Sequence, residues 1–139
     1  MSLPGLVTGS DPVAATLKGA LDGLLLRQKV AADNIANVDT PGFIASRVEF
    51  EGALRSALVD GSLTGERAQS VGRSFGPAGA AATPSATVTA TTDAPGANGN
   101  NVDLAAETMT AMQATFRYQL LSRAVGDRYS LITTAIGGM

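Results

Sequence analysis

Carboxylates are the side chains in this sequence whose spacing suits acid–base chemistry, and they form two close pairs. Glu49 and Glu51 stand two apart, so an extended segment puts both on one side; Asp103 and Glu107 stand four apart, about one helical turn. Hydrolysis of a glycosidic bond uses such a pair, one carboxyl as acid and the other as base or nucleophile. Solvated faces carry the same pairs routinely. The sequence also supplies little aromatic surface to grip a sugar, with aromatics at 4% and no Trp. His and Cys are absent, which removes imidazole catalysis, thiolate nucleophiles, disulfides and His- or Cys-ligated metals. The glycines lack the GK[ST] context of a phosphate loop. The expectation is a protein that is not an enzyme, with no catalytic residue, no metal site and no cofactor.

The balance of charge narrows the partners. Ten Lys+Arg against twelve Asp+Glu give a net charge of −2, which argues against a nucleic-acid partner. At 139 residues the chain fits one ordinary domain. Its longest aliphatic run, Leu24 to Leu26, is far short of the ~20 residues that span a bilayer. Pro4, Gly5 and Gly9 interrupt the first residues, and the first basic residue is Lys18. No cleavable secretory signal is therefore expected.

Two strong helices are predicted near the two ends. Over 11–36, Asp11 suits an N-cap and Pro12 the first turn. Ala14, Leu17, Leu21, Leu24, Gln28, Ala31 and Ile35 then recur at alternating spacings of three and four, a narrow seam with a period near 3.5. The polar face mixes Lys18, Arg27 and Lys29 with Asp22 and Asp33, without the basic bias of a lipid-binding helix. Over 103–136, Asp103 is the expected N-cap and Gly137-Gly138 the stop. One seam runs through Leu104, Ala111, Thr115, Tyr118, Ser122, Val125, Tyr129, Ile132 and Ile136. A second runs through Met109, Met112, Phe116 and Leu120. Two seams on one helix imply more than one packing partner. A helix of that length spans about 51 Å at ~1.5 Å per residue, more than a compact globule of this mass accommodates.

Between the helices the expectations are weaker. The residue before Pro41 is pushed out of the α region, so the first helix should end near 37–40, with Pro41-Gly42 at the centre of a type II turn. Ile44, Val48 and Phe50 share one parity of a short strand, and Phe50, Leu54 and Leu58 suggest one or two helical turns before Gly61. From Ser74 to Asn100 the only charged residue is Asp93, and this Gly/Pro/Ala/Thr-rich stretch has too few large apolar groups to offset backbone ordering. Val88 with its flanking Thr residues is the one candidate edge strand there. The chain thus divides into 1–60, a flexible connector over 61–102, and a C-terminal helix over 103–139. The fold class is all-α: elongated terminal helices packed as a hairpin or coiled coil, with at most minor β-structure.

The stretch Ala31 to Phe43 carries the most specific pattern. Asn34 and Asn37 place two amides three apart on the last turns of a helix, able to bond free carbonyls or a neighbouring subunit. Thr40-Pro41-Gly42 ends the helix, and Phe43 is expected to anchor the turn on apolar surface. The string Asn34-Ile35-Ala36-Asn37-x-x-Thr40-Pro41-Gly42-Phe43 resembles the N-terminal signature of the flagellar rod, hook and hook-associated axial proteins. Asn100-Asn101-Val102-Asp103-Leu104, Glu107, Phe116-Arg117-Tyr118-Gln119 and Thr134 to Gly138 are similar to the short proximal-rod type within that family. The matched blocks cover roughly 34–50 and 100–138, and the middle of the chain carries no specific resemblance.

The resemblance implies a structural subunit of the proximal rod of the flagellar basal body, linking the membrane ring to the distal rod and hook. Its implied partners are other rod subunits, the adaptor FliE, the membrane (MS) ring proteins and the flagellar type III export gate. Its implied location is the periplasmic rod. Phe50-Glu51-Gly52-Ala53-Leu54 also resembles a short recognition signal read by that gate, although packing of Phe50 on Leu54 explains the spacing equally. The expected assembly motif is Asn34, Ile35, Ala36, Asn37, Thr40, Pro41, Gly42 and Phe43. The expected helix-packing seam is Leu17, Leu21, Leu24, Tyr118, Val125, Tyr129 and Ile132, with Ile35 at its end. Another proximal rod subunit, or a non-flagellar coiled-coil adaptor of the cell envelope, are the alternatives.

Overall fold

Helical periodicity and local capping account for most of the architecture. The computed structural model describes residues 12–59 and 86–137. Helix α1 runs Pro12–Ala36, strand β1 Ser46–Glu49, helix α2 Glu51–Val59, strand β2 Thr87–Ala90 and helix α3 Leu104–Gly137. Asp11, the expected N-cap of α1, lies outside the described residues, as do Gly61, Gly138 and the connector up to 85. Asp103 caps α3 as its residue type predicts: its Oδ1 accepts from the backbone N–H groups of Ala105 and Ala106, at 3.0 and 3.1 Å.

α1 ends where Pro41 requires. The backbone leaves the helix through turns at 37–39, and Thr40-Pro41-Gly42-Phe43 closes a β-turn in which Phe43 N–H donates to the Thr40 carbonyl at 3.3 Å. Gly42 has φ +73°, the left-handed geometry that a type II turn demands at this position.

α1 and α3 pack antiparallel as a hairpin, the dominant contact in the fold. Gln28 Nε2 donates to Thr115 Oγ1 at 3.2 Å, so two residues assigned to separate helical seams meet across it. The core is small and lies on one side. Ala20, Leu24, Val48, Phe50 and Ala114 are buried together, with Leu26, Val30, Leu54, Ala86, Tyr118 and Leu121 packed around them. β1 and β2 pair antiparallel, with Val48 opposite Val88.

Three details differ from the sequence reading. Ile44 is exposed although it shares parity with Val48, because β1 starts only at Ser46; Ala45 is the buried residue just before it. Glu51 opens α2 rather than extending a strand, so it does not share a strand face with Glu49. Within the stretch assigned to a flexible connector, 86–102 carries β2 and a loop fixed by hydrogen bonds. Its few apolar groups are replaced as the ordering force by backbone pairing and by Asn side chains.

Candidate assembly surface

The motif residues and the seam residues occupy opposite ends of the hairpin. At the turn end, Asn34 is 1% exposed. Its Nδ2 donates to the Ser46 carbonyl at 2.8 Å and its Oδ1 accepts from Ser46 N–H at 3.0 Å. One amide thereby satisfies both backbone groups of a strand residue, so Asn34 bonds a carbonyl of its own chain. Asn37 Nδ2 donates to the Asp33 carbonyl at 2.8 Å, and its Oδ1 accepts from Thr40 Oγ1 at 3.2 Å. Ile35 and Phe43 are half-buried, while Ala36, Thr40, Pro41 and Gly42 are exposed. The motif is a helix stop wired internally, with its Thr-Pro-Gly tip facing outward.

A second arrangement holds β1 against α1. The Arg27 guanidinium grips Glu51 through two charge-assisted bonds of 2.6 and 2.8 Å and donates to the Val48 carbonyl at 2.9 Å. It also lies 4.7 Å from the centroid of the Phe50 ring, within cation–π range. Arg27 holds the Glu51 carboxyl down at about 2, well below the usual carboxylate range. Beneath the ring, Gly23 leaves the space that Phe50 fills: a Cβ built there would come within 2.6 Å of ring carbons. The sequence reading did not find this pairing, because residues 23, 27, 50 and 51 are linked by no local periodicity.

Toward the other end the hairpin stays open. Leu17, Leu21, Tyr118, Val125, Tyr129 and Ile132 line one apolar groove of about 550 Å³, together with Ala14, Leu25 and Arg128. These are the expected seam residues except Leu24, which is 2% exposed in the core. They face each other across the groove without closing it, and Tyr129 and Ile132 remain exposed. The second seam of α3 lies outside the hairpin altogether: Met109, Met112, Phe116 and Leu120 are each at least 57% exposed. Isolated exposed apolar residues are ordinary, but four at helical spacing form a stripe, and stripes of this kind mark interaction surfaces. Among the described residues no group of three or more acidic side chains is arranged to hold a metal ion, and no helix is long and apolar enough to cross a membrane.

Comparison with known proteins gives this surface its context. Residues 15–43 match the family described as flagella basal body rod protein. The flagellar basal body rod protein FlgB of Borrelia hermsii is 60% identical over 40 residues, a match spanning 29% of this chain and 30% of that protein. FlgB of Salmonella typhimurium is 30% identical over 134 residues, spanning 92% of this chain and 97% of that protein. The chain belongs to the FlgB family of flagellar basal body rod proteins. FlgB of Cereibacter sphaeroides is 33% identical over 112 residues, 81% of this chain and 84% of that protein. The family is structural, so this rod protein is a structural subunit of the flagellar basal body, and its open groove and stripe belong to a molecule that assembles with other basal-body components. The matched residues 15–43 contain both halves of the α1 contribution, the groove side through Leu17 and Leu21 and the internally wired stop through Asn34 to Phe43.

Proposed function

We propose that the chain polymerises through its terminal helices into the proximal rod, where it carries torque from the membrane ring toward the distal rod and hook. The observation that carries this reading is the second seam of α3, which the hairpin leaves uncovered beside a first seam that it covers only in part. A helix with one half-covered and one bare apolar stripe is completed by neighbouring helices. The partners on this reading are other rod subunits, with FliE and the MS-ring proteins at the membrane-proximal end. The groove residues Leu17, Leu21, Tyr118, Val125, Tyr129 and Ile132 and the outward Thr40-Pro41-Gly42 tip are the proposed contacts, and no catalytic role is assigned.

The same reading takes the chain out through the flagellar type III export gate without a cleavable signal. Phe50 and Leu54 belong to the packed core, so a gate that reads them meets the chain before it folds. Phe116→Asp tests the assembly surface. Because Phe116 is 67% exposed, the variant keeps its helicity and its unfolding free energy to within about 0.5 kcal/mol, yet is missing from isolated basal bodies and leaves cells non-motile. Motile cells with the variant incorporated would overturn the proposal.

A further inference from the structure

The loop just ahead of α3 contains polar contacts that neither the seam nor the groove explains. Asn100 is 7% exposed. Its Nδ2 reaches the carbonyls of Asn37, Val38 and Thr40 at 2.8, 3.0 and 2.8 Å, and its Oδ1 accepts from Val102 N–H at 2.7 Å. These carbonyls lie in the turns just past α1, where those of Asn37 and Thr40 also accept from Thr40 and Phe43 N–H, and a residue some 60 positions later donates to all three. Its neighbours bind the same strip of chain. Gly42 N–H donates to the Asn98 carbonyl at 3.0 Å, Asn101 N–H donates to the Phe43 carbonyl at 3.3 Å, and Asn101 Oδ1 accepts from Ala45 N–H at 2.7 Å. Gly99, at φ +76°, sits so close that an added Cβ would lie 3.3 Å from Gly42 Cα.

We propose that Asn100 is the positioning residue that sets the register of α3 on α1. The apolar seam by itself is a poor ruler. Its Leu, Val, Ile and Tyr residues recur about once per turn, so a shift of one turn still sets apolar groups against apolar groups. The Asn100 contacts do not repeat. Its amide fits a cluster of carbonyls that occurs once, just past α1, and α3 begins four residues later, so sliding α3 by one turn leaves the buried amide without its acceptors. A single buried polar residue fixes register in coiled coils by the same logic. Register in turn decides which α3 residues line the groove and which form the outer stripe; this consequence for assembly rests on the function proposed above.

The absence of Cys from the chain provides a direct assay. Gln28→Cys paired with Thr115→Cys reports the observed register. Gln28→Cys paired with Ala111→Cys or with Gln119→Cys reports a slip of one turn in either direction. In the purified full-length chain, oxidation should link 28 to 115 at least tenfold faster than either slipped pair. Adding Asn100→Ala should bring the three rates within about threefold of one another, whereas Leu24→Ala, which weakens the core without touching the loop, should keep the original preference. A preserved preference in Asn100→Ala, or equal scrambling by Leu24→Ala, overturns the proposal. If Asn100→Ala loses its helicity, the 28–115 disulfide should restore it, and failure to restore it also overturns the proposal. These rates are read without any rod, so they stand or fall separately from the Phe116→Asp experiment.

Discussion

Substituting Gly23 by Ala should reveal the close approach of Phe50 to α1, with a sign opposite to that expected of an interior helical glycine. In an open helix the change stabilises by about 1 kcal/mol, because Ala loses less backbone entropy on folding. Here the new methyl would stand within 2.6 Å of aromatic carbons. Phe50 is 5% exposed, lies under Arg27 and is part of the core, so the ring has little room to withdraw. Overpacking of this kind costs about 1–3 kcal/mol. With a clash this deep the upper half of that range applies, and the net result is a loss of about 1–2 kcal/mol. Urea denaturation followed by far-UV circular dichroism measures it, and Phe50→Ala supplies the second side of a double-mutant cycle. Without the ring, Gly23→Ala should return to stabilising by about 1 kcal/mol, which gives a coupling of about 2–3 kcal/mol. A neutral or stabilising Gly23→Ala in the otherwise native chain would refute the close-approach argument, as would the same effect in both backgrounds.

Three further outcomes follow from other contacts. Glu51 has its pKa lowered from 4.5 to about 2 by Arg27, so the ion pair contributes stability above pH 4.5 that is lost as the pH falls toward 2. More than half of the Glu51 side chain is exposed (54%), so solvent screening limits this to about 1 kcal/mol; the stability gap between the native chain and Glu51→Gln should close across that window in acid titrations, and a gap that stays constant would contradict the assignment. Asn34→Ala strands both backbone groups of Ser46 and should cost about 2–4 kcal/mol in thermal or urea unfolding, since each unmade buried bond carries a desolvation penalty; a loss below about 0.5 kcal/mol would remove Asn34 from the fold's supports. Leu21→Asp, in the open groove, should leave a soluble chain that fails to enter rods and does not restore motility, and a motile strain would count against the groove as a contact surface.

The features legible in the sequence are those with a local or periodic cause. The seams on α1 and α3 follow from apolar spacing, the end of α1 from Pro41, the Gly42 conformation from the turn type, and the start of α3 from Asp103. The missed features join residues far apart in the chain. Nothing near Gly23 indicates that an aromatic 27 positions later needs its missing side chain, and nothing near Asn100 indicates that its amide reaches the carbonyls of 37, 38 and 40. β2 was visible only as Val88 among Thr residues, because its strand is held by pairing with β1 and has no buried face of its own. Periodicity places the seam residues along one line of each helix and carries no measure of how far apart the helices stand, so the openness of the groove they line is not legible.

The unequal ends of the hairpin give it a direction of mechanical failure. Around Asn98, Asn100 and Asn101 the two halves are joined by bonds that must break nearly together, whereas at the groove end they touch through half-exposed apolar groups that separate one pair at a time. Force that parts the groove end therefore unzips the hairpin gradually from Ile132 and Leu17 inward, meets the buried Leu24 and Ala114 next, and reaches the Asn100 contacts just past α1 last. Force that slides the helices past each other meets the Asn100 contacts at once. The same subunit is thus compliant to peeling and stiff to shear.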